Sequence, residues 1–227
     1  MPIYRTLHHD FFKKWSPQMA YILGFFVADG YMVKTNRNTH FISFQITDRN
    51  LLYAIRDQLN SNHAVRVIQK NIKWKPCYKI QFGSKVMFAD LTALGMTQGK
   101  SKTVQVPNIP ERYVSHFIRG YFDGDGSVHF GEYFARDRGK KRVTFMSTFT
   151  SGSSRFLEQI RIVLQDKADI KGGTLYKKPR GYQLAFSYHD SVRLFRSMYS
   201  DLSERDIYLD RKYNKFKKAI EKMYGNI

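Results

Sequence analysis

At 227 residues the chain is long enough for one large domain or two small ones, with ample length for a core. Its 38 lysines and arginines against 19 aspartates and glutamates leave a formal charge of +19, which points to a polyanionic partner, nucleic acid before a membrane surface. No apolar run approaches the roughly 20 residues of a membrane helix. Met1 to Asp10 lacks the apolar stretch of a secretory signal, and a lone Cys77 has no internal disulfide partner. The expectation is an intracellular protein, cytoplasmic in a prokaryote or organellar, and not secreted.

The opening Tyr4 to Trp15 is a short amphipathic lead-in. His8-His9-Asp10 has metal-ligating residue types, but adjacent residues point apart on a helix and no second ligand cluster follows, so no metal is assigned there. Ser16 as N-cap and Pro17 in the first turn begin a helix that runs to about Gly30 through Ile22-Leu23-Gly24-Phe25-Phe26-Val27-Ala28-Asp29-Gly30. The period then changes to two. Tyr31 to Lys34 and His40 to Ile46 form a hairpin, with Ile42, Phe44 and Ile46 on one face and Ser43 and Gln45 on the other. Thr47-Asp48 caps a helix carrying Leu51, Leu52, Ile55 and Leu59 at helical spacing. Strands follow near His63 to Lys70 and Lys75 to Phe82, then a helix from Ser84 to Leu94 stopped by Gly95.

From Met96 to Arg112 the chain turns polar and proline-bearing, a linker. Beyond it the stretch is written again as Ile118-Arg119-Gly120-Tyr121-Phe122-Asp123-Gly124-Asp125-Gly126. The same order of elements recurs: a strand after Gly126, a strand at Val143 to Thr150, a helix from Ser153, strands near Thr174 to Lys178 and Tyr182 to Tyr188, and a helix from Ser191. A Lys- and Arg-rich helix over about Ser203 to Tyr224 closes the chain. The fold class is α+β, two pseudo-symmetric αββαββα repeats: residues 1–97, a linker at 98–112, and residues 113–227 with the extra helix. Asp29 and Asp125 lie 96 residues apart, room for one complete unit in each half.

Each repeated stretch places small residues four apart on one helix face, Gly24 with Ala28 and Gly120 with Gly124, a groove into which another backbone can press. Each ends in an acid. A carboxylate at a helix C-terminus opposes the helix dipole by up to about 1 kcal/mol, so a cation is expected to compensate. Carboxylates and free helix-end carbonyls are oxygen ligands, which favour magnesium over zinc, with Mn2+ or Ca2+ able to take the same places. The apolar strand faces must cover helices, which leaves Ser43, Gln45, Lys75, Lys79 and Gln81 in one half and Thr144, Thr148, Gln183 and Ser187 in the other. Those are side chains that hydrogen-bond to bases and phosphates along a major groove.

Two copies of this nonapeptide, each followed by the same strand-strand-helix order, make the chain resemble the LAGLIDADG homing endonucleases of the single-chain, two-motif type, over nearly its whole length. The resemblance implies a monomer whose motif helices form the interface between the repeats and whose two antiparallel, saddle-shaped sheets straddle double-stranded DNA. It further implies that Asp29 and Asp125 bind the catalytic divalent metal with help from the carbonyls of Ala28 and Gly124, and that both strands are hydrolysed across the minor groove to leave 3′ overhangs. It also implies a lysine near each centre. Lys102 fits the linker, with Lys100 as the rival, and Lys212 fits the other half through Tyr208-Leu209-Asp210-Arg211-Lys212-Tyr213. Gln45 and Asp48 lie where the family often has a polar, water-organising residue. The sixth motif position departs from the acidic consensus at Val27 but not at Asp123, which is read as supporting the helix end or interface. The same scaffold also serves intron maturases that bind RNA, and non-catalytic DNA-binding regulators, so intron RNA is the alternative partner. An intron or intein location is the expected genomic setting.

Overall fold

The structure, a computed structural model, describes residues 4–69, 71 and 73–224. In chain order the elements are α1 (Pro17–Asp29), β1 (Gly30–Lys34), β2 (His40–Ile46), α2 (Arg49–Gln58), β3 (Arg66–Ile68), β4 (Cys77–Gly83) and α3 (Lys85–Ala93). They continue as α4 (Val114–Asp125), β5 (Gly126–Ala135), β6 (Lys140–Ser151), α5 (Ser154–Lys167), β7 (Thr174–Lys178), β8 (Gly181–Ser187), α6 (Tyr188–Tyr199) and α7 (Asp210–Tyr224). Two four-stranded antiparallel sheets result, ordered β1-β2-β4-β3 and β5-β6-β8-β7. The second order repeats the first, so the doubled sequence is a doubled αββαββα fold.

Local chemistry places the boundaries. Ser16 accepts a hydrogen bond from the Met19 amide at the start of α1, Asp48 from Leu51 at α2, Ser84 from Met87 at α3 and Ser153 from Phe156 at α5. Gly95, with φ of 87°, ends α3 in the left-handed conformation glycine adopts without strain. No helix among the described residues is long and apolar enough to cross a membrane.

Several boundaries differ from the sequence expectation. The strand expected over His63 to Lys70 is only β3, Arg66–Ile68, and Lys70 lies outside the described residues. Lys75 precedes β4 on exposed, irregular chain, because regular pairing begins at Cys77 opposite Ile68. α6 starts at Tyr188, directly after β8. Ser191 sits in its first turn, donates to the Phe186 carbonyl and accepts from the Ser147 amide. α7 starts at Asp210, because the chain ahead of it includes Asp206, which is bound to Arg119 and His116.

By internal contacts the chain forms two compact units, one of Met1–Lys100, Pro107–Gly124 and Arg205–Ile207, the other of Ser101–Val106, Asp125–Glu204 and Tyr208–Ile227. These units do not follow the repeat boundaries. α4 belongs with α1 as far as Gly124, and the stretch 98–112 is shared between them rather than standing free.

The first unit shows why α4 belongs there. A β-carbon on Gly24 would collide with the Phe117 carbonyl oxygen and lie 2.9 Å from the Tyr121 amide nitrogen. A β-carbon on Gly120 would collide with the Tyr21 carbonyl oxygen and lie 3.0 Å from the Phe25 amide nitrogen. Each glycine thus receives the partner helix at the residue three before the partner's own glycine, a two-fold arrangement in which helix backbones touch. Tyr21, Phe25, Phe26, Phe117, Tyr121 and Phe122, all fully buried, fill the flanks, and Phe25 and Phe26 pack on Phe44 of β2 at ring-centre distances of 6.1 and 5.5 Å. Polar groups buried here bind one another. The Tyr21 hydroxyl donates to Asp123 Oδ2 at 2.7 Å, Arg119 lies over the Tyr21 ring at 5.6 Å, and Arg119 donates to Asp206 Oδ1 at 2.7 Å. His116 Nδ1 is 3.3 Å from the same Asp206 oxygen. Asp123 therefore supports the helix pair, and Val27, its counterpart in the first motif, is simply buried.

In the second unit Phe145, Phe149, Leu184 and Phe186 of the sheet pack against the apolar faces of α5 and α7, including Phe156, Ile160 and Phe216, with Phe145 and Phe216 at 6.1 Å.

Two consequences follow for stability. Gly24→Ala and Gly120→Ala each force two helix backbones apart and are expected to cost about 3 kcal/mol, the upper end for overpacking, whereas Gly131→Ala, whose β-carbon meets nothing within 4 Å, shifts stability by less than about 1 kcal/mol. Tyr21→Phe strips a donor from a buried carboxylate and is expected to cost about 2 kcal/mol. Urea unfolding monitored by fluorescence measures all four.

Candidate nucleic-acid interface and catalytic centres

Asp29 is the last residue of α1 and Asp125 the last of α4, and both are half-buried. Neither helix has a basic residue in its last turn, so neither acid is compensated from its own helix. Beside Asp29 lies Gly124, where a β-carbon would collide with Ala28 and come within 3.2 Å of Asp29 Oδ2. Only glycine fits against the Ala28 methyl at this position.

Two lysines are buried among the described residues, one in each unit. Lys100, 6% exposed, donates its ammonium to the Gly30 carbonyl, the residue after Asp29, and stands 5.0 Å over the Phe26 ring. It supplies from the 98–112 stretch the cation that α1 lacks at its C-terminal end. Lys212, 5% exposed, lies in the first turn of α7. A buried ammonium is costly unless it is paired, and a highly basic chain has many exposed alternatives, so both positions are specified. Lys102, expected in this role beside Lys100, is exposed. Sequence position could not separate two lysines two residues apart; their burial does.

Other candidates have local partners. His9 Nδ1 bonds Ser84 Oγ at 2.8 Å, and the Asp10 carboxyl is held below its usual range by the hydrogen bond from Lys13. Asp48 is used in capping α2, while Gln45 is exposed near the end of β2.

Strand register defines the outward sheet faces. In the first unit Tyr31 pairs with Ser43, Ser43 with Gln81, Gln45 with Lys79 and Lys79 with Arg66, which brings these side chains to one face. In the second, Ser127 pairs with Thr148, Thr148 with Ala185, Met146 with Ser187, Thr150 with Gln183 and Gln183 with Tyr176. Gln45, Lys79, Gln81, Thr144, Gln183 and Ser187 thus lie where expected and reach solvent at least in part. Ser43 and Thr148 lie on the same faces but are buried, 5% and 0% exposed, Ser43 between the longer Tyr31 and Gln81 and Thr148 between Ser127 and Ala185, and are corrected as partner contacts. Lys75 is corrected as a member of the face, since it precedes the strand.

Residues missed from the sequence join these faces. Arg66, with Arg5, His63, Lys79 and Gln81, lines an open depression of about 530 Å³. Burial, with Arg5 nearby, holds the His63 imidazole below its usual range and so neutral at pH 7. Tyr31, His129 and Tyr176 are exposed on the outward faces. The parity of β3 and β7 would have found Arg66 and Tyr176 once their register was known.

The chain is similar to several solved structures, each at low sequence identity. It matches the homing endonuclease I-WcaI bound to its DNA recognition sequence at 14% identity, with a TM-score of 0.61 and 90% of each chain covered. It matches the LAGLIDADG meganuclease I-AabMI bound to uncleaved DNA at 14% identity, TM-score 0.61, covering 92% of this chain and 91% of that one. It matches the meganuclease I-SmaMI bound to uncleaveable DNA at 11% identity, TM-score 0.62, covering 92% of each. Among curated proteins, 149 residues are 28% identical to the DNA-directed RNA polymerase subunit Rpo1C of Methanocaldococcus jannaschii, and 69 residues are 38% identical to a probable translation initiation factor IF-2 of Thermococcus kodakarensis. Those matches take in 64% and 29% of this chain but only 15% and 5% of the two relatives. The LAGLIDADG-like domain matches residues 16–91 and 112–199, one copy for each αββαββα repeat. With both motifs, both sheets and most of its length accounted for, the chain belongs to the LAGLIDADG family.

Proposed function

We propose that the chain is a site-specific DNA endonuclease that lays its outward sheet faces along the major groove of double-stranded DNA and hydrolyses both strands across the minor groove, leaving 3′ overhangs. The observation that carries this reading is that each unit holds one motif acid and one buried lysine, Asp29 and Lys100 in the first and Asp125 and Lys212 in the second. The DNA-bound state of the similar structures supports the choice of partner. A non-catalytic DNA-binding regulator would have no use for an acid at the end of each motif helix.

The donor set suits a hard divalent cation. Asp29 with the Ala28 carbonyl, and Asp125 with the Gly124 carbonyl, offer only oxygen, and a β-carbon at Gly124 would strike Ala28 and crowd Asp29 Oδ2. Magnesium, or manganese or calcium in its place, would supply Lewis acidity toward the scissile phosphate when bound there. The chain's own groups do the rest. Lys100, clamped by the Gly30 carbonyl and the Phe26 ring, holds a fixed positive charge beside Asp29, where negative charge accumulates on the phosphate oxygens during attack. We assign Lys212, buried in the first turn of α7, the same part in the second unit. Because both lysines are positioned before DNA arrives, no reorganisation opposes the reaction. Gln45, Lys79, Gln81 and Arg66 in one unit, and Thr144, Gln183 and Ser187 in the other, read base edges and fix the register of the duplex. The active form is a monomer, since each chain carries both centres.

Asp29→Asn and Asp125→Asn are each expected to bind target DNA within about threefold of the parent chain while converting none of a supercoiled target plasmid to linear product; linear product from either variant contradicts the assignment. Lys100→Met and Lys212→Met are expected to slow cleavage at least about 100-fold, the scale of losing one preorganised electrostatic contact, with Lys102→Met within about threefold of the parent. Single-turnover rates distinguish the lysines. Affinity should fall steeply with salt, with a slope of about 0.9 per phosphate neutralised, measured by titration between 50 and 200 mM.

A further inference from the structure

The two sheets repeat in order but not in length. β1 and β2 pair over five positions, Gly30–Lys34 against Phe44–His40. Their counterparts β5 and β6 pair over ten, Gly126–Ala135 against Phe149–Lys140. Sequence periodicity located only Val143 to Thr150 of β6, since its outer end is polar and solvated on both faces. The extra five pairs, Gly131–Ala135 against Thr144–Lys140, are closed by a 3₁₀ turn at Arg136–Arg138 and by Gly139, with φ of 59°. At 3.3–3.4 Å per residue the extension adds about 17 Å.

Its side chains are unlike an ordinary solvated hairpin. Tyr133 and Phe134 are 50% and 59% exposed, and Arg136, Lys140 and Lys141 are exposed beside them, with Arg142 half-exposed. Register sets Tyr133 opposite Arg142, Gly131 opposite Thr144 and Ala135 opposite Lys140, on the same face as Thr148 and Gln183. The face that reads DNA in the second unit thus continues without a break onto the extension and becomes more basic along it. At its base the hairpin is braced by the ion pair of Glu132 with Lys222 of α7. Cationic side chains interleaved with exposed rings suit a nucleic-acid backbone and base edges, and poorly suit an apolar protein surface.

We propose that the outer half of the β5–β6 hairpin is a DNA-reading arm present in the second unit alone, with Tyr133, Lys140 and Arg142 as its contact residues, and that it makes the recognition site asymmetric. At 3.4 Å per base pair, 17 Å corresponds to about five additional base pairs on the flank under that unit. The inference rests on the DNA-binding reading above and goes beyond it in assigning which flank is longer and which residues read it.

The test uses the full chain without divalent metal and duplex DNA enriched on it from a random-sequence pool. Hydroxyl-radical footprints are compared for the parent chain, for a chain with residues 133–142 replaced by an Asn-Gly turn, and for the triple variant Tyr133→Ala, Lys140→Ala, Arg142→Ala, which leaves the hairpin backbone in place. Protection is expected to retreat by about five base pairs at one end only in the shortened chain. Randomising those base pairs should weaken the parent at least tenfold and the triple variant less than twofold. A radical-generating chelate on Arg136→Cys, with Cys77→Ser, should cut beyond that same end. Unchanged protection borders in the shortened chain, or equal sensitivity of parent and triple variant to the flank, would overturn the inference while leaving the proposed function intact. A pool that yields no enriched duplex would overturn both.

Discussion

The structure depends on one contact, the backbone-to-backbone approach of α1 and α4 at Gly24 and Gly120. Each glycine lies where a β-carbon would strike a carbonyl oxygen of the other helix, so the two axes are as close as helices can be. Close packing between rigid backbones fixes position far better than flexible side chains could. That matters because the residue at the end of each helix is an acid to which the proposed chemistry is assigned. The third glycine, Gly124, applies the same economy beside Asp29, where the place of the missing β-carbon is taken by the Ala28 methyl.

Charge is handled on two levels around this contact. Within the buried layer, Tyr21, Arg119, His116, Asp123 and Asp206 bind one another, so the ionic groups carried on α4 are paired where water cannot reach them. At the end of α1, Lys100 covers the carbonyl of Gly30, the residue after Asp29. Asp123 is bound within the helix pair, whereas Asp29 and Asp125, the acids to which the proposed chemistry is assigned, stand at the helix ends, although motif position alone makes the acids look alike.

Much of this was legible in the sequence. The doubled nonapeptide, the small residues four apart and the alternation at His40 to Ile46 and Tyr182 onward gave the repeat, the helix pair and the sheets, because each depends on short-range periodicity. What was not legible depends on register or on distant partners. Lys100 and Lys102 are equivalent along the chain and separate only when one side chain turns under Phe26. Ser43 and Thr148 alternate correctly yet are buried by neighbours that alternation along one strand does not reveal. The start of α7 is displaced to Asp210 by the Arg119–Asp206 ion pair, whose members are 87 residues apart. The length of the β5–β6 hairpin was hidden because its outer residues are solvated on both faces and carry no apolar alternation.

The central claim is that each motif acid governs one strand. It is tested most directly on a target duplex labelled on either strand and incubated in magnesium with Asp29→Asn or Asp125→Asn. The account predicts that each variant leaves one strand intact and that the spared strand differs between the two. Loss of the same strand in both variants, or cleavage of both strands by either, would contradict it.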